Sequence, residues 1–281
     1  MTAMSTTLNL KSPREIKRMR PAGLAVWQGL QIARELAVAG NTTGQIDTAV
    51  KQYYKTIQGE PLFLNYPNST PGKPVFPGVT CTSVNEQVVH GIPGDYVLQE
   101  GDIISVDTGC RIDNWCGDSA VTLPIGEIDS EVEKLLEVTA NTLQMAIDLI
   151  PQKELWSEVS AEMETYVLDH GFTAVENFVG HGIGENMHEP PQVPNYKSKT
   201  LRPKDDFRLE PGIVIAVEPM VNLGTKRVVA EPDHWTMSTA DGKPSAHFEH
   251  TLAITEDGVR VLTEPPSDPN ELETLLPVKE K

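Results

Sequence analysis

The chain lacks any apolar run approaching the roughly 20 residues that a membrane-spanning helix needs, which excludes an integral helical membrane protein. Its opening, MTAMSTTLNLKSPREIKRMR, has no apolar core of the secretory-signal kind, so a cytoplasmic protein is expected. Cysteine is scarce. Cys81, Cys110 and Cys116 form neither a CxxC nor a zinc-finger pattern, which argues against a disulfide framework and for a reducing compartment. Positive charge is in deficit, with 23 Lys and Arg against 40 Asp and Glu. The resulting net charge of −17 argues against a nucleic-acid-binding surface and anionic membranes, and mildly favours cationic partners such as the free amino end of a peptide. What remains is ordinary for a globular chain: 39% hydrophobic, 22% charged, and 281 residues, enough for one large domain or two small ones.

Read in order, residues 1–11 form a loose lead-in, and Ser12-Pro13-Arg14-Glu15 has the form of a helix-starting capping box. The helix that follows reaches toward Gly40, with Pro21 expected to kink or split it. A second helix starts near Thr42 or Thr43. The segment 61–78 is dense in proline and holds three aromatics, which suits either a rigid loop over a pocket or a plain connector. TCTSVNEQVVHGIP alternates as one strand, at whose end His90 reads by spacing as a turn histidine. A strand from Gly101 to Val106 turns through GCRIDNW into a second strand carrying Asp118, which predicts an antiparallel hairpin. Asp129-Ser130 caps a helix through Ile150, and another helix covers Leu155 to Leu168 and stops at Gly171. A long polar connection after Glu189 leads to the strand IVIAVEP, then to a hairpin-like VNLGTKRVVAEPDHW and a turn at Asp241-Gly242. The last strand is expected around HFEHTLAI, and the tail from Pro265 is peripheral.

The chemistry gathers around HGIGENMHE, where His181 and His188 sit in a glycine-rich loop. Four carboxylates lie in strand-like contexts elsewhere: Asp107 in IISVD, Asp118 in CGDSAV, Glu218 in IVIAVEP and Glu249 in AHFEHTLAI. A carboxylate within a buried strand is costly unless a proton, a cation or a metal neutralises it. Oxygen ligands with one imidazole suit a pair of divalent first-row ions better than a closed structural zinc site. Two bridging carboxylates set such ions about 3–4 Å apart, where a shared water becomes a nucleophile and a carbonyl is polarised. One of the two loop histidines can ligate while the other stays free for substrate.

The sequence also repeats itself. Gly101–Asp107 (GDIISVD) aligns with Gly212–Glu218 (GIVIAVE) at an offset of 111, each a glycine, an apolar strand and a terminal acid. Each is followed by a hairpin and a further acidic strand position, Asp118 in one half and Glu249 in the other, which predicts a duplicated α+β unit about a pseudo-twofold axis.

The ordered segments CTSVNEQVVHGIP, SVDTG, GDSA, GHGIGENMHEPP, VEPMVN and FEHT resemble the type I methionine aminopeptidases, of the short kind without an N-terminal zinc-finger extension. The resemblance runs from about Ser12 to Leu262. It implies a pita-bread fold: α+β, two pseudo-symmetric halves around a central antiparallel sheet with outer helices, in a single domain over residues 12–264. It implies that Asp107, Asp118, His181, Glu218 and Glu249 hold two divalent ions (Co, Mn, Fe or Zn), with room for an additional monovalent cation. In the family pattern Asp118 and Glu249 bridge both ions, Asp107 chelates one, and His181 and Glu218 complete the other. It implies that Glu218 handles the proton of the bound water, that His90 meets the substrate's amino end, and that His188 hydrogen-bonds the scissile amide. The methionine pocket is expected from Phe76, Cys81, Met187 and Trp235, with Met187 departing from the Phe common there. The implied partners are nascent polypeptide N-termini and the ribosome, for a cytoplasmic monomer with no nucleic-acid or membrane contact.

Two rival readings share these residues. A proline-directed relative, of the aminopeptidase P or prolidase kind, has the same five ligands, although VNEQVVHGIP favours the methionine enzyme. A pita-bread protein that only binds partners is the other rival, and such proteins usually lose ligands that are all present here.

Overall fold

A reciprocal pair of hydrogen bonds starts the first helix: the Glu15 carboxylate accepts from the Ser12 N–H at 2.7 Å and Ser12 Oγ accepts from the Glu15 N–H at 3.4 Å. The computed structural model describes residues 8–198 and 206–275. In it α1 (Pro13–Leu36) runs as one helix through Pro21, which corrects the expected split. Proline removes one intrahelical N–H, but the same turn is tied down elsewhere. The neighbouring Arg20 guanidinium donates to the carbonyls of Leu262, Glu264 and Pro265, and Met19, Ala22 and Leu24 are buried. The second helix, α2 (Thr43–Thr56), begins at a Thr42 cap.

Five strands complete the first half: β1 (Glu60–Pro61), β2 (Cys81–Val84), β3 (Gln87–Val89), β4 (Ile103–Ile112) and β5 (Trp115–Pro124). The expected single strand over TCTSVNEQVVHGIP is broken into β2 and β3. Asn85 turns left-handed (φ 53°), and its side chain binds the Ile103 N–H and Asp102. β2 then pairs with β4, while β3 leaves to pair with a strand of the second half. The β4–β5 hairpin forms as expected, with the turn narrowed to Asp113-Asn114, both at positive φ as a type I′ turn requires.

The second half opens with α3 (Ser130–Leu149) and α4 (Trp156–Asp169). Its strands are β6 (Thr173–Ala174), β7 (Gly180–Gly182), β8 (Glu189–Val193), β9 (Val214–Val217), β10 (Met220–Asn222), β11 (Val228–Ala230), β12 (Met237–Thr239), β13 (Ser245–His247), β14 (His250–Thr255) and β15 (Gly258–Val261). His181 therefore sits on a strand, β7, and not in a loop. VNLGTKRVVAEPDHW is no single hairpin either, because β10 pairs with β13 and β6 whereas β11 pairs with β12. Nor is HFEHTLAI the last strand, since β15 folds back on β14. Parts of the expected lead-in, polar connection and tail (residues 1–7, 199–205 and 276–281) lie outside the described residues. Among the described residues no helix is long and apolar enough to cross a membrane.

In each half a helix pair covers a strand pair. Leu24, Leu30, Ile46, Val50 and Tyr54 pack with Ile104, Val106 and Leu123. Leu143, Ala146, Trp156 and Met163 pack with Ile215, Val217, Leu252 and Ile254. The two halves repeat at the level of single hydrogen bonds. The Gly101 N–H donates to Ile125 O at 2.9 Å and the Ile125 N–H to Asp102 O at 2.8 Å; the Gly212 N–H donates to Ile254 O at 2.9 Å and the Ile254 N–H to Ile213 O at 2.8 Å. Both glycines hold positive φ, 92° and 100°, where other residues are strained.

One equivalence differs from the sequence expectation. Asp107 pairs with Ala120 on β5, and the β9–β14 register, one step beyond Val217 and His250, sets Glu218 opposite Glu249. The same offset that relates Ile125 to Ile254 therefore relates Ala120 to Glu249 and Asp118 to His247. The seam between the halves obeys this relation. Thr122 Oγ1 accepts the His247 N–H and donates to His247 O, both at 2.8 Å. Its counterpart Thr251 Oγ1 accepts the Asp118 N–H at 3.1 Å and donates to Asp118 O at 2.8 Å.

Candidate metal centre

Asp107 projects from β4 and Asp118 from β5, joined by the hairpin register, while Glu218 and Glu249 follow from β9 and precede β14. β7 brings His181 alongside, pairing it with Ala216. That approach is close. A Cβ on Gly180 would stand 2.3 Å from Ala216 O and one on Gly182 2.2 Å from Pro190 O, so only glycine fits on either side of His181. All five residues line one cavity of about 510 Å³, together with His90, His188, Phe76, Cys81, Met187, Trp235, Tyr66, Phe63, Phe178, Met220 and His247. The structure thus brings together every site residue expected from the sequence.

Three carboxylates each carry one buried oxygen without a hydrogen-bond partner: Asp107 Oδ1, Asp118 Oδ1 and Glu249 Oε1. Such orphans are rare in folded proteins and call for a neutralising partner. Donor atoms of Asp118, His181 and Glu249 lie within 4.8 Å of one another. His181 Nδ1 lies 2.9 Å from Gly182 O, so Nδ1 carries the proton and Nε2 presents a lone pair, 3.8 Å from Glu218 Oε1. Oxygen donors with one imidazole, buried and unsatisfied, fit divalent first-row ions.

The electrostatics agree. Burial pushes Asp118 up to about 7. Burial, then the charge of Asp118, drives Asp107, Glu218 and Glu249 well above the usual carboxylate range. Four carboxylates share one apolar-walled site without a side-chain cation among them, an arrangement that a bound cation relieves. Burial also holds the histidines neutral, His181 at about 3 and His90 at about 4, each lowered further by His188.

The cavity wall beside the acids is apolar. Phe63, Phe76, Cys81 and Met187 form one buried cluster with Leu62, Ile92 and Trp235 against it. Phe76 meets Trp235 edge-on at 5.3 Å, and His90 lies edge-on to Phe178 at 5.4 Å. The 61–78 segment is the loop over the pocket. Its Tyr66 hydroxyl binds His188 Nδ1 at 2.8 Å, and Pro74 O accepts from Trp235 Nε1 at 2.9 Å. Sequence reasoning passed over Tyr66, Phe178 and His247. Only His247 had a local signal: it lies two residues before Glu249, on the same face of an extended segment.

The sequence profile of metallopeptidase family M24 matches residues 17–256. A methionine aminopeptidase 1 of Bacillus subtilis is 42% identical over 253 residues, covering 90% of this chain and 98% of that relative. A methionine aminopeptidase of Helicobacter pylori is 38% identical over 92% of this chain and 99% of its own. Among solved structures, a methionine aminopeptidase from Thermotoga maritima matches with a TM-score of 0.84 at 39% identity, covering 92% of this chain and 100% of that one. A prolidase from Pyrococcus furiosus matches at 0.68 with 19% identity, spanning 66% of that chain, a likeness of fold alone.

Proposed function

The chain belongs to metallopeptidase family M24, and with methionine aminopeptidases as its relatives we propose that Asp107, Asp118, His181, Glu218 and Glu249 hold two divalent ions. The activity is metal-dependent hydrolysis of the bond after an N-terminal methionine. The observation that carries the site assignment is the trio of buried, unpartnered carboxylate oxygens converging with His181 on one cavity.

Ions bound there supply Lewis acidity and an acidified water. Everything else falls to the chain. Glu218, on the cavity wall with its carboxylate beside His181, takes and returns the proton of the attacking water. His188, its Nδ1 held by the Tyr66 hydroxyl, turns its other nitrogen toward the scissile amide. His90, neutral and on the cavity wall, meets the substrate's amino end. Phe76, Cys81, Met187 and Trp235 surround the thioether, and Met187 adds a flexible, polarisable contact. The ligand set suits Mn, Fe, Co or Zn. This reading assigns a cytoplasmic monomer that meets new chains at the ribosome; three buried free thiols support a reducing compartment.

The test is free methionine released from Met-Ala-Ser by chelator-stripped protein before and after divalent metal is added back. Release that requires metal, with none from Ala-Pro peptides, is expected. Cleavage of Xaa-Pro peptides instead would assign the site to proline-directed chemistry.

A further inference from the structure

Glu218 stands between two imidazoles. His181 Nε2 lies 3.8 Å from its Oε1, and His247 Nε2 lies 3.9 Å from its Oε2. Among the described residues the Glu218 side chain accepts no hydrogen bond; the bond from Asn195 Nδ2 goes to its backbone carbonyl. His247 is only 2% exposed, lines the cavity, and its Nε2 is buried without a partner. Its backbone is clamped at N and O by the Thr122 hydroxyl, so the ring stands on a fixed base. The pseudo-twofold axis gives that base a meaning: His247 occupies in the second half the place that Asp118 occupies in the first.

Resting on the metal-centre reading above, we propose that His247 is a positioning residue for Glu218. Its Nε2–H donates to Oε2 and fixes the carboxylate so that Oε1 remains beside His181. A shift of about 1 Å closes the present gap to hydrogen-bond length. Outer partners of this kind orient ligating carboxylates, and their loss typically weakens metal binding about 10–100-fold.

Two variants of the full chain separate the donor from the bulk it fills: His247→Gln keeps an N–H donor and His247→Leu does not. Chelator-stripped proteins are titrated with Co(II), followed by calorimetry and by d–d absorption, alongside methionine release and thermal unfolding. His247→Leu is expected to weaken one Co(II) site about 10–100-fold and to lower kcat with KM unchanged within about twofold. His247→Gln restores that affinity to within about fivefold, and its d–d spectrum overlays that of the wild type. Co(II) affinity in His247→Leu equal to wild type overturns the proposal. So does a d–d spectrum altered alike in both variants, which would make His247 a direct ligand. Wild-type protein that binds no Co(II) would instead sink the underlying metal-centre reading, whatever the variants do.

Discussion

At the scale of single residues, Asp107 has one buried oxygen without a partner and three acids for neighbours. Its charge therefore opposes folding when no cation is bound and holds the cation when one is. Asp107→Asn separates the two effects. Metal content measured by elemental analysis is expected to fall below that of wild type, and methionine release to fall by more than the roughly 10–100-fold that losing a ligand's supporting partner costs. The chelator-stripped variant is expected to melt above the stripped wild type, because one of four mutually repelling carboxylates is gone. A merely structural aspartate would lower that melting temperature. His90 shows what local pattern misses at this scale. By spacing it reads as a turn histidine, and it does hold a turn conformation (φ 61°). Its place on the cavity wall depends on Phe178 and Trp235, both distant in sequence.

At the scale of elements, the seam between the halves rests on two threonine hydroxyls that each bridge a backbone N–H and C=O of the opposite half. Thr251→Val leaves the Asp118 amide and carbonyl without those partners in a buried setting. The expected loss is about 1–3 kcal/mol, or roughly 2–10 °C in Tm, together with weakened metal binding because Asp118 is carried on that strand. Unchanged melting and metal affinity by calorimetry would show the bridge to be dispensable. Helix starts were legible from sequence here because capping is local: Ser12, Thr42 and Asp129 all cap where expected. The β4–β5 hairpin was legible for the same reason. Strand partners were not. β3 reads as the continuation of β2 and β11 as the hairpin partner of β10, yet both pair with β12. The repeat was visible in Gly101–Asp107 and Gly212–Glu218, but equating Asp118 with Glu249 required the observed register to correct.

At the scale of the whole molecule, the buried acids make stability depend on pH and on metal together. The folded value of Asp118, about 7, stands above the 3.8 of a free aspartate, so its contribution to stability is present at low pH and lost as pH rises through 7. His181 and His247, held at about 3 by burial, act in the opposite sense: their contribution is present above 6.5 and lost as pH falls toward 3. Between pH 6.5 and 8 the carboxylates dominate. Chelator-stripped protein is therefore expected to lose roughly 2–8 °C of Tm across that window, and added divalent metal to abolish the loss. Stripped protein equally stable at both ends would contradict the charge balance described.

We propose that Asp107, Asp118, His181, Glu218 and Glu249 together hold two ions over one cavity. Anomalous scattering from manganese-loaded crystals tests it most directly. Two peaks about 3–4 Å apart are expected, inside the cavity lined by Asp107, Asp118, His181, Glu218 and Glu249. Manganese located elsewhere, in crystals of protein that still releases methionine, would contradict it.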